Sequence, residues 1–264
     1  MNFGEDKPYS EESEKQPYQV YLDLWDTSFG LQETDNLTPS SYMRTLAEEQ
    51  AEGTYGYQEV EQKLDSYYST EKVDKSTEEA DYASLRIAEI LSNDSFSFSP
   101  ATLLSYHRRL FSGIETFKYP VGQIRSVNIT KAEKVLNGDT VIYADFRDIK
   151  ETLNWDFEQE KTFSYQGMNK TDMAHHVMNF LSGIWQIHPF REGNTRTTAV
   201  FGIKYLRNLG FEIDNTPFKN NAKFFRDALV MANAKRGMAT DVYLRKFTEN
   251  LLLSGKNELV IGGK

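Results

Sequence analysis

Apolar residues return at helical spacing along most of this chain, and that periodicity limits its fold more than any single residue does. Tyr21, Leu24, Trp25 and Phe29 fall on one stripe, and Ala83, Ile87, Ile90 and Leu91 on another. Leu103, Leu104, His107, Leu110 and Phe111 make a third. Breakers bracket these runs: in Leu37-Thr38-Pro39-Ser40, Thr38 or Ser40 supplies a cap and Pro39 suits a first helical turn. The first stripe marks one helix, with order beginning near Tyr18 and the break at 37–40 ending it, and further helices are predicted over 41–52, 57–68, 78–91, 100–111, 149–157 and 171–187. A further helix starts inside 188–196 and runs to Gly210, and 221–234 and 240–254 complete the set. One segment departs from the pattern. Val135-Leu136-Asn137-Gly138-Asp139-Thr140-Val141-Ile142 sets Asn-Gly between two β-prone runs, a strong short hairpin signal. The expected fold class is all-α, a mainly helical bundle with one inserted β-hairpin over residues 134–143. Residues 1–17 read as a disordered polar tail, 18–68 as a compact helical appendage, 69–77 as a linker and 78–264 as the main domain.

Composition excludes several functions. With 264 residues, 39% hydrophobic and 13% aromatic, the chain has material for a real core. A net charge of −9 opposes phosphate neutralisation, so nucleic acid is not expected as the partner. There is no cysteine, which removes disulfides, thiolate metal sites and thiol nucleophiles. No apolar run approaches the length of about 18 residues that a membrane span needs. Met1 to Gln19 is acidic and polar, without the basic start and apolar core of a signal peptide. The expectation is a soluble, cytoplasmic protein that does not engage a membrane; its oligomeric state, a homo-oligomer included, is left open.

The chemistry concentrates in His188-Pro189-Phe190-Arg191-Glu192-Gly193-Asn194-Thr195-Arg196. A helix ends at Trp185-Gln186-Ile187 and another begins after Gly193-Asn194, so the run is a loop leading into a helix N-terminus. Free backbone N–H groups there make an anion site, and Arg196 in the first turn faces the same anion. Glu192 is an oxygen ligand able to hold Mg²⁺ against phosphate oxygens. His188 is the side chain best suited to take a proton at neutral pH. Together they suggest phosphoryl-type transfer. By contrast His175-His176, on the preceding helix, lacks the converging ligands of a zinc site.

The run resembles the signature of the Fic family, His-x-Phe-x-(Asp/Glu)-Gly-Asn-Gly-Arg-x-x-Arg. Gly122-Gln123-Ile124-Arg125, the Asn137-Gly138 turn and Tyr106-His107-Arg108-Arg109-Leu110-Phe111 are similar to the family's surrounding segments, so the likeness spans about Phe98 to Leu252. The resemblance implies a protein adenylyltransferase moving AMP from ATP to a Ser, Thr or Tyr hydroxyl of a target protein. It implies His188 as general base, Phe190 as the loop's anchor and Glu192 as the Mg²⁺ ligand. Gly193, Asn194 and Thr195 form the implied anion hole, and Arg196 a phosphate contact. Val135, Leu136, Thr140, Val141 and Ile142 of the hairpin would clamp the target's extended backbone by strand addition.

Two positions differ from the signature: Thr195 replaces a Gly, and Ala199 replaces the second Arg. That Arg holds the outer phosphates in AMP-transferring members, and Arg125 or Lys204 are candidate substitutes. Two alternatives follow, a Fic-type phosphotransferase with another nucleotide orientation or donor, and a non-catalytic nucleotide- or protein-binding scaffold. The product's mass separates them. The segment Thr27 to Tyr68 resembles the antitoxin partner of Fic toxins, fused here in one chain. By the family's inhibitory pattern, Ser/Thr-x-x-x-Glu-Gly/Asn, Glu33 is the expected brake on Arg196, although Ser28 lies five residues before it. Glu258, with the four-residue offset from Ser254, is a second candidate.

Overall fold

The structure, a computed structural model, describes residues 18–262. The tail expected over residues 1–17 lies outside them. Ten α-helices follow in order: α1 Tyr18–Gln32, α2 Ser41–Ala51, α3 Tyr57–Tyr68, α4 Glu78–Ser92, α5 Pro100–Phe111, α6 Ile149–Thr162, α7 Lys170–Ile187, α8 Asn194–Asn208, α9 Thr216–Ala232 and α10 Val242–Leu252. None of the described helices is long and apolar enough to cross a membrane.

Local chemistry sets the boundaries. Ser40, not Thr38, caps α2 by accepting a hydrogen bond from the Met43 N–H, so Pro39 stands ahead of the helix and outside its first turn. Ser99 caps α5 with Pro100 at its first turn, and Asn169 caps α7 through the Asp172 N–H. α9 begins earlier than its apolar pattern predicts, with Pro217 in its first turn and a non-helical Asn221 inside it.

α8 lies at the centre of the bundle. Every residue from Asn194 to Leu206 is buried, and α8 packs against α5, α7 and α4. A helix buried on all faces belongs in a core, and α8 carries Asn194, Arg196 and Lys204 into it beside its apolar and small residues. α1 packs against α4 and α9. Its approach to α9 is close at Gly30, where a Cβ would stand 2.3 Å from the Phe218 carbonyl oxygen. Trp25, Leu31, Met43 and Leu64 of the N-terminal helices share one hydrophobic cluster with Val200, Phe225 and Phe247. The segment 18–68 is thus built into the bundle's core.

The expected β-hairpin is absent: no strand occurs among the described residues. The Asn-Gly turn itself does form, with Asn137 at φ 55° and Gly138 at φ 91° after a 3-10 turn at Lys134–Leu136. Two backbone bonds cross it, from the Glu133 N–H to the Asp139 carbonyl at 2.8 Å and from the Gly138 N–H to the Glu133 carbonyl at 2.9 Å, and no ladder extends beyond them. Side chains hold its flanks elsewhere. Glu133 is buried in a two-bond pair with Arg226 of α9, at 2.7 and 2.9 Å, and Asp139 pairs with Lys235 at 2.6 Å. Leu136 and Val141 turn into the core, Val135 and Thr140 are half-buried, and Ile142 is 64% exposed. The strand propensity of these residues is outweighed by contacts the sequence pattern does not display.

Candidate active site

α7 ends in a left-handed residue, His188, at φ 51° and ψ 62°. Its Nδ1 lies 3.1 Å from the Trp185 carbonyl oxygen. A carbonyl can only accept, so Nδ1 carries the proton and Nε2 presents a lone pair. The ring packs at a tilt of 36° against Tyr143, with centroids 4.2 Å apart. Burial of its surroundings pushes the His188 pKa down to about 3, with Lys131, Arg125 and Arg226 adding to the effect and the Trp185 carbonyl opposing it. At neutral pH this imidazole is an uncharged base.

Four devices hold the loop after His188. Arg125, 3% exposed, donates from Nε to the His188 carbonyl at 2.8 Å and from other nitrogens to the carbonyls of Val127, Ala144 and Ile187. Asn194 accepts from the Phe190 N–H at 3.0 Å and donates to the Phe190 carbonyl at 2.9 Å. The Phe190 ring is buried and stacks on His107 at 3.8 Å. His107 accepts at Nδ1 from the Gly122 N–H, so its Nε2 donates to the Glu192 carbonyl at 3.0 Å. Burial holds the His107 pKa at about 4, which keeps that ring neutral. His107 and Arg125 therefore position the loop.

Gly193, at φ 76°, is the residue from which α8 starts. A Cβ there would come 2.5 Å from the Phe111 ring. Thr195, where a glycine was expected, accepts from the Trp185 indole at 3.0 Å and is buried. Its side chain thus points at α7, leaving its backbone as the part available to an anion. Asn194 likewise spends its side chain on the loop.

Arg196 is fully buried. Its Nη2 lies 2.6 Å from Glu79 of α4, its Nη1 donates to Gln32 at 3.1 Å, and its plane covers the Phe111 ring at 4.7 Å. Asp35 approaches Nε to 2.7 Å, off the N–H axis, as an ion pair rather than an aligned hydrogen bond. Burial alone would weaken its hold on the proton, but Asp35 and Glu79 outweigh that. Glu33, expected to be the contacting carboxylate, is exposed. α1 ends at Gln32, and the 3-10 turn Glu33–Asp35 carries Glu33 outward and Asp35 inward. Glu258 lines a different cavity, with Thr240, Tyr243 and Lys246.

A cavity of about 390 Å³ opens beside this loop. Glu192, Arg196, Asp35 and Glu79 line it, with Lys131 and Lys134 from the turn segment and Lys223, Arg226 and Asp227 from α9. His188 is not among its lining residues; Glu192 and Arg196, from the same loop and the helix it leads into, are. Glu192 is half-exposed, has one oxygen on the Gly193 N–H at 3.0 Å and pairs with no cation among the described residues. No group of three or more His, Cys, Asp or Glu arranged for a metal occurs among the described residues. His176 pairs with Glu160 at 2.8 Å, away from this loop.

Of the expected site residues, His188, Phe190, Glu192, Gly193, Asn194, Thr195 and Arg196 come together around one loop. Asp35, Glu79, Gln32, Lys131 and Arg226 were not singled out, because only folding brings α1, α4, the turn segment and α9 to that place. His107 was read as one residue of an apolar stripe; a histidine on such a stripe was the available signal.

Comparison with known proteins agrees with this geometry. A family model described as the Fic/DOC family matches residues 97–206. A protein of Sinorhizobium fredii named probable protein adenylyltransferase is 47% identical over 51 residues, which is 19% of this chain and 26% of that protein. The match thus spans about a quarter of that relative's length. A Fic family protein from Desulfovibrio desulfuricans superposes with a TM-score of 0.55 at 13% identity, covering 88% of this chain and 62% of that one. A Fic domain-containing signaling protein from Bacteroides thetaiotaomicron gives 0.54 at 14% identity, over 88% of this chain and 83% of that one. At such identities the two structures show the fold alone. The loop, the fold and the matched segment agree: residues 97–206 are similar to the Fic/DOC family.

Proposed function

We propose that the chain is a protein adenylyltransferase that moves AMP from ATP to a Ser, Thr or Tyr hydroxyl of a target protein and is held back by its own N-terminal segment. The observation that carries this reading is His188: neutral, with Nδ1–H fixed on the Trp185 carbonyl and Nε2 left as a base. In the reaction Nε2 takes the hydroxyl proton as the hydroxyl oxygen bonds to the α-phosphorus. The bond from that phosphorus to the bridging oxygen breaks, and pyrophosphate leaves. The α8 N-terminus and Arg196 stabilise the charge on the phosphoryl oxygens, so catalysis rests on positioning and electrostatics.

Glu192 fits a Mg²⁺ ligand. It is a half-exposed carboxylate on the cavity with no cationic partner among the described residues, and Mg²⁺ is usually held by one or two carboxylates together with substrate phosphates. A bound Mg²⁺ would supply charge neutralisation for the donor's phosphates.

Arg196 supports the restraint. A guanidinium enclosed by Asp35, Glu79 and Gln32 has its donors spent, and an incoming phosphate must displace at least one of them. Asp35 takes the part first expected of Glu33.

Ala199, buried where the signature has its second Arg, favours one other reading, phosphotransfer from a reversed nucleotide. ATP labelled at either the α- or the γ-phosphorus separates the two. Label from the α position should enter protein, label from the γ position should not, and His188→Ala should lose the transfer by at least about a hundredfold. Transfer of the γ label would establish the other reading.

A further inference from the structure

We propose that Lys131 and Lys223, with Lys134 at the rim, form the site for the outer phosphates of the donor, replacing from outside the signature the arginine that Ala199 displaces. This rests on the nucleotide-transfer reading and names residues that the loop does not contain.

The charges on the cavity wall sort into two sets. Its arginines are occupied: Arg196 faces Asp35 and Glu79, while Arg226 faces Glu133 at 2.7 Å and Asp227 at 3.2 Å. Those four carboxylates are the cavity's acids apart from Glu192. Lys131, Lys134 and Lys223 also line it, are exposed, and make no ion pair among the described residues. Lys223 lies near enough to Asp227 to lower its proton affinity without pairing with it. The wall therefore presents three unpaired ammonium groups opposite one unpaired carboxylate. Such a balance suits a polyvalent anion carrying one divalent cation, the charge form of a nucleoside triphosphate with Mg²⁺.

The other candidates are spent. Arg125 is committed to the carbonyls of Val127, Ala144, Ile187 and His188. Lys204 is 3% exposed on α8, lowered in proton affinity by burial, and does not line the cavity. Lys131 comes from the turn segment and Lys223 from α9, so two separate elements bring the lysines to one cavity wall.

The test is calorimetric binding of ATP, inorganic tripolyphosphate and AMP to the full chain, both wild type and Asp35→Asn, with and without Lys131→Gln/Lys223→Gln. The lysine pair should weaken ATP and tripolyphosphate about tenfold, as for the loss of charge-assisted contacts, and change AMP less than about twofold. Lys131→Arg/Lys223→Arg should restore binding. Both lysines are exposed, and an unchanged melting temperature shows that the fold is intact. ATP bound equally by parent and lysine variant overturns the proposal and leaves the transferase reading standing. Equal weakening of AMP and ATP also overturns it, because the lysines would then hold the α-phosphate. Failure of both wild type and Asp35→Asn to bind ATP or tripolyphosphate removes the proposal and the reading together.

Discussion

Gly193 carries two demands that no side chain meets. Its φ is 76°, and a Cβ would stand 2.5 Å from the buried Phe111 ring. Gly193→Ala is expected to cost about 2–3 kcal/mol and to displace the start of α8. Urea unfolding measures the first effect and nucleotide affinity the second. His188 and His107, held near 3 and 4 by burial, give a signed pH dependence. Both are neutral when folded but take protons near 6.5 when unfolded, so the unfolded chain binds more protons between those values. Their contribution to stability is complete above about pH 6.5 and falls as the pH drops toward 4. Melting temperatures across that range should fall, and His107→Phe should flatten part of the slope. For the same reason the rate should show no limb from His188 between about pH 5 and 8.

Among the elements, α1 and its terminal 3-10 turn bring Gln32 and Asp35 to Arg196, which is the contact the proposed restraint rests on. Arg196 meets two carboxylates, so neutralising either one leaves a one-to-one pair and an intact fold. Asp35→Asn and Glu79→Gln are each expected to raise self-labelling from ATP about tenfold, within the usual range of coupling between sites. Glu33→Gln should leave it unchanged. Stimulation by Glu33→Gln alone would show that the exposed carboxylate acts in a way this geometry does not contain. The contrast also marks what the sequence could display. Helix spacing and caps are local, so α2 and α3 appear where Ser40 and the turn before Tyr57 put them. The loop 188–196 is legible because its chemistry is contiguous. Which of Glu33 and Asp35 faces inward depends on a single turn after α1, and side-chain spacing along the chain does not encode it. The Asn137-Gly138 turn was legible for the same local reason, whereas the missing strands were not, because Arg226 and Lys235 come from a distant part of the chain.

At the scale of the whole molecule, one hydrophobic cluster joins the N-terminal helices to the bundle around α8. The Arg196 clamp is therefore a feature of the core, with α1 wedged between α4 and α9. If the clamp is the proposed restraint, releasing it would need a local movement of Gln32 and Asp35 rather than departure of a separate module. The net charge of −9 places a negative molecule around a cavity whose unpaired groups are mainly positive. On the proposed reading, such a cavity would attract an anionic donor locally while the remaining surface stays repulsive. The central claim is that His188, Glu192 and Arg196 act together to move AMP from a nucleotide to a hydroxyl. It is tested most directly by intact-mass spectrometry of the Asp35→Asn protein after incubation with ATP and Mg²⁺. A gain equal to one adenylate, absent in Asp35→Asn/His188→Ala, is the predicted result. No gain in mass, a gain of phosphate alone, or an adenylate that persists without His188 would contradict it.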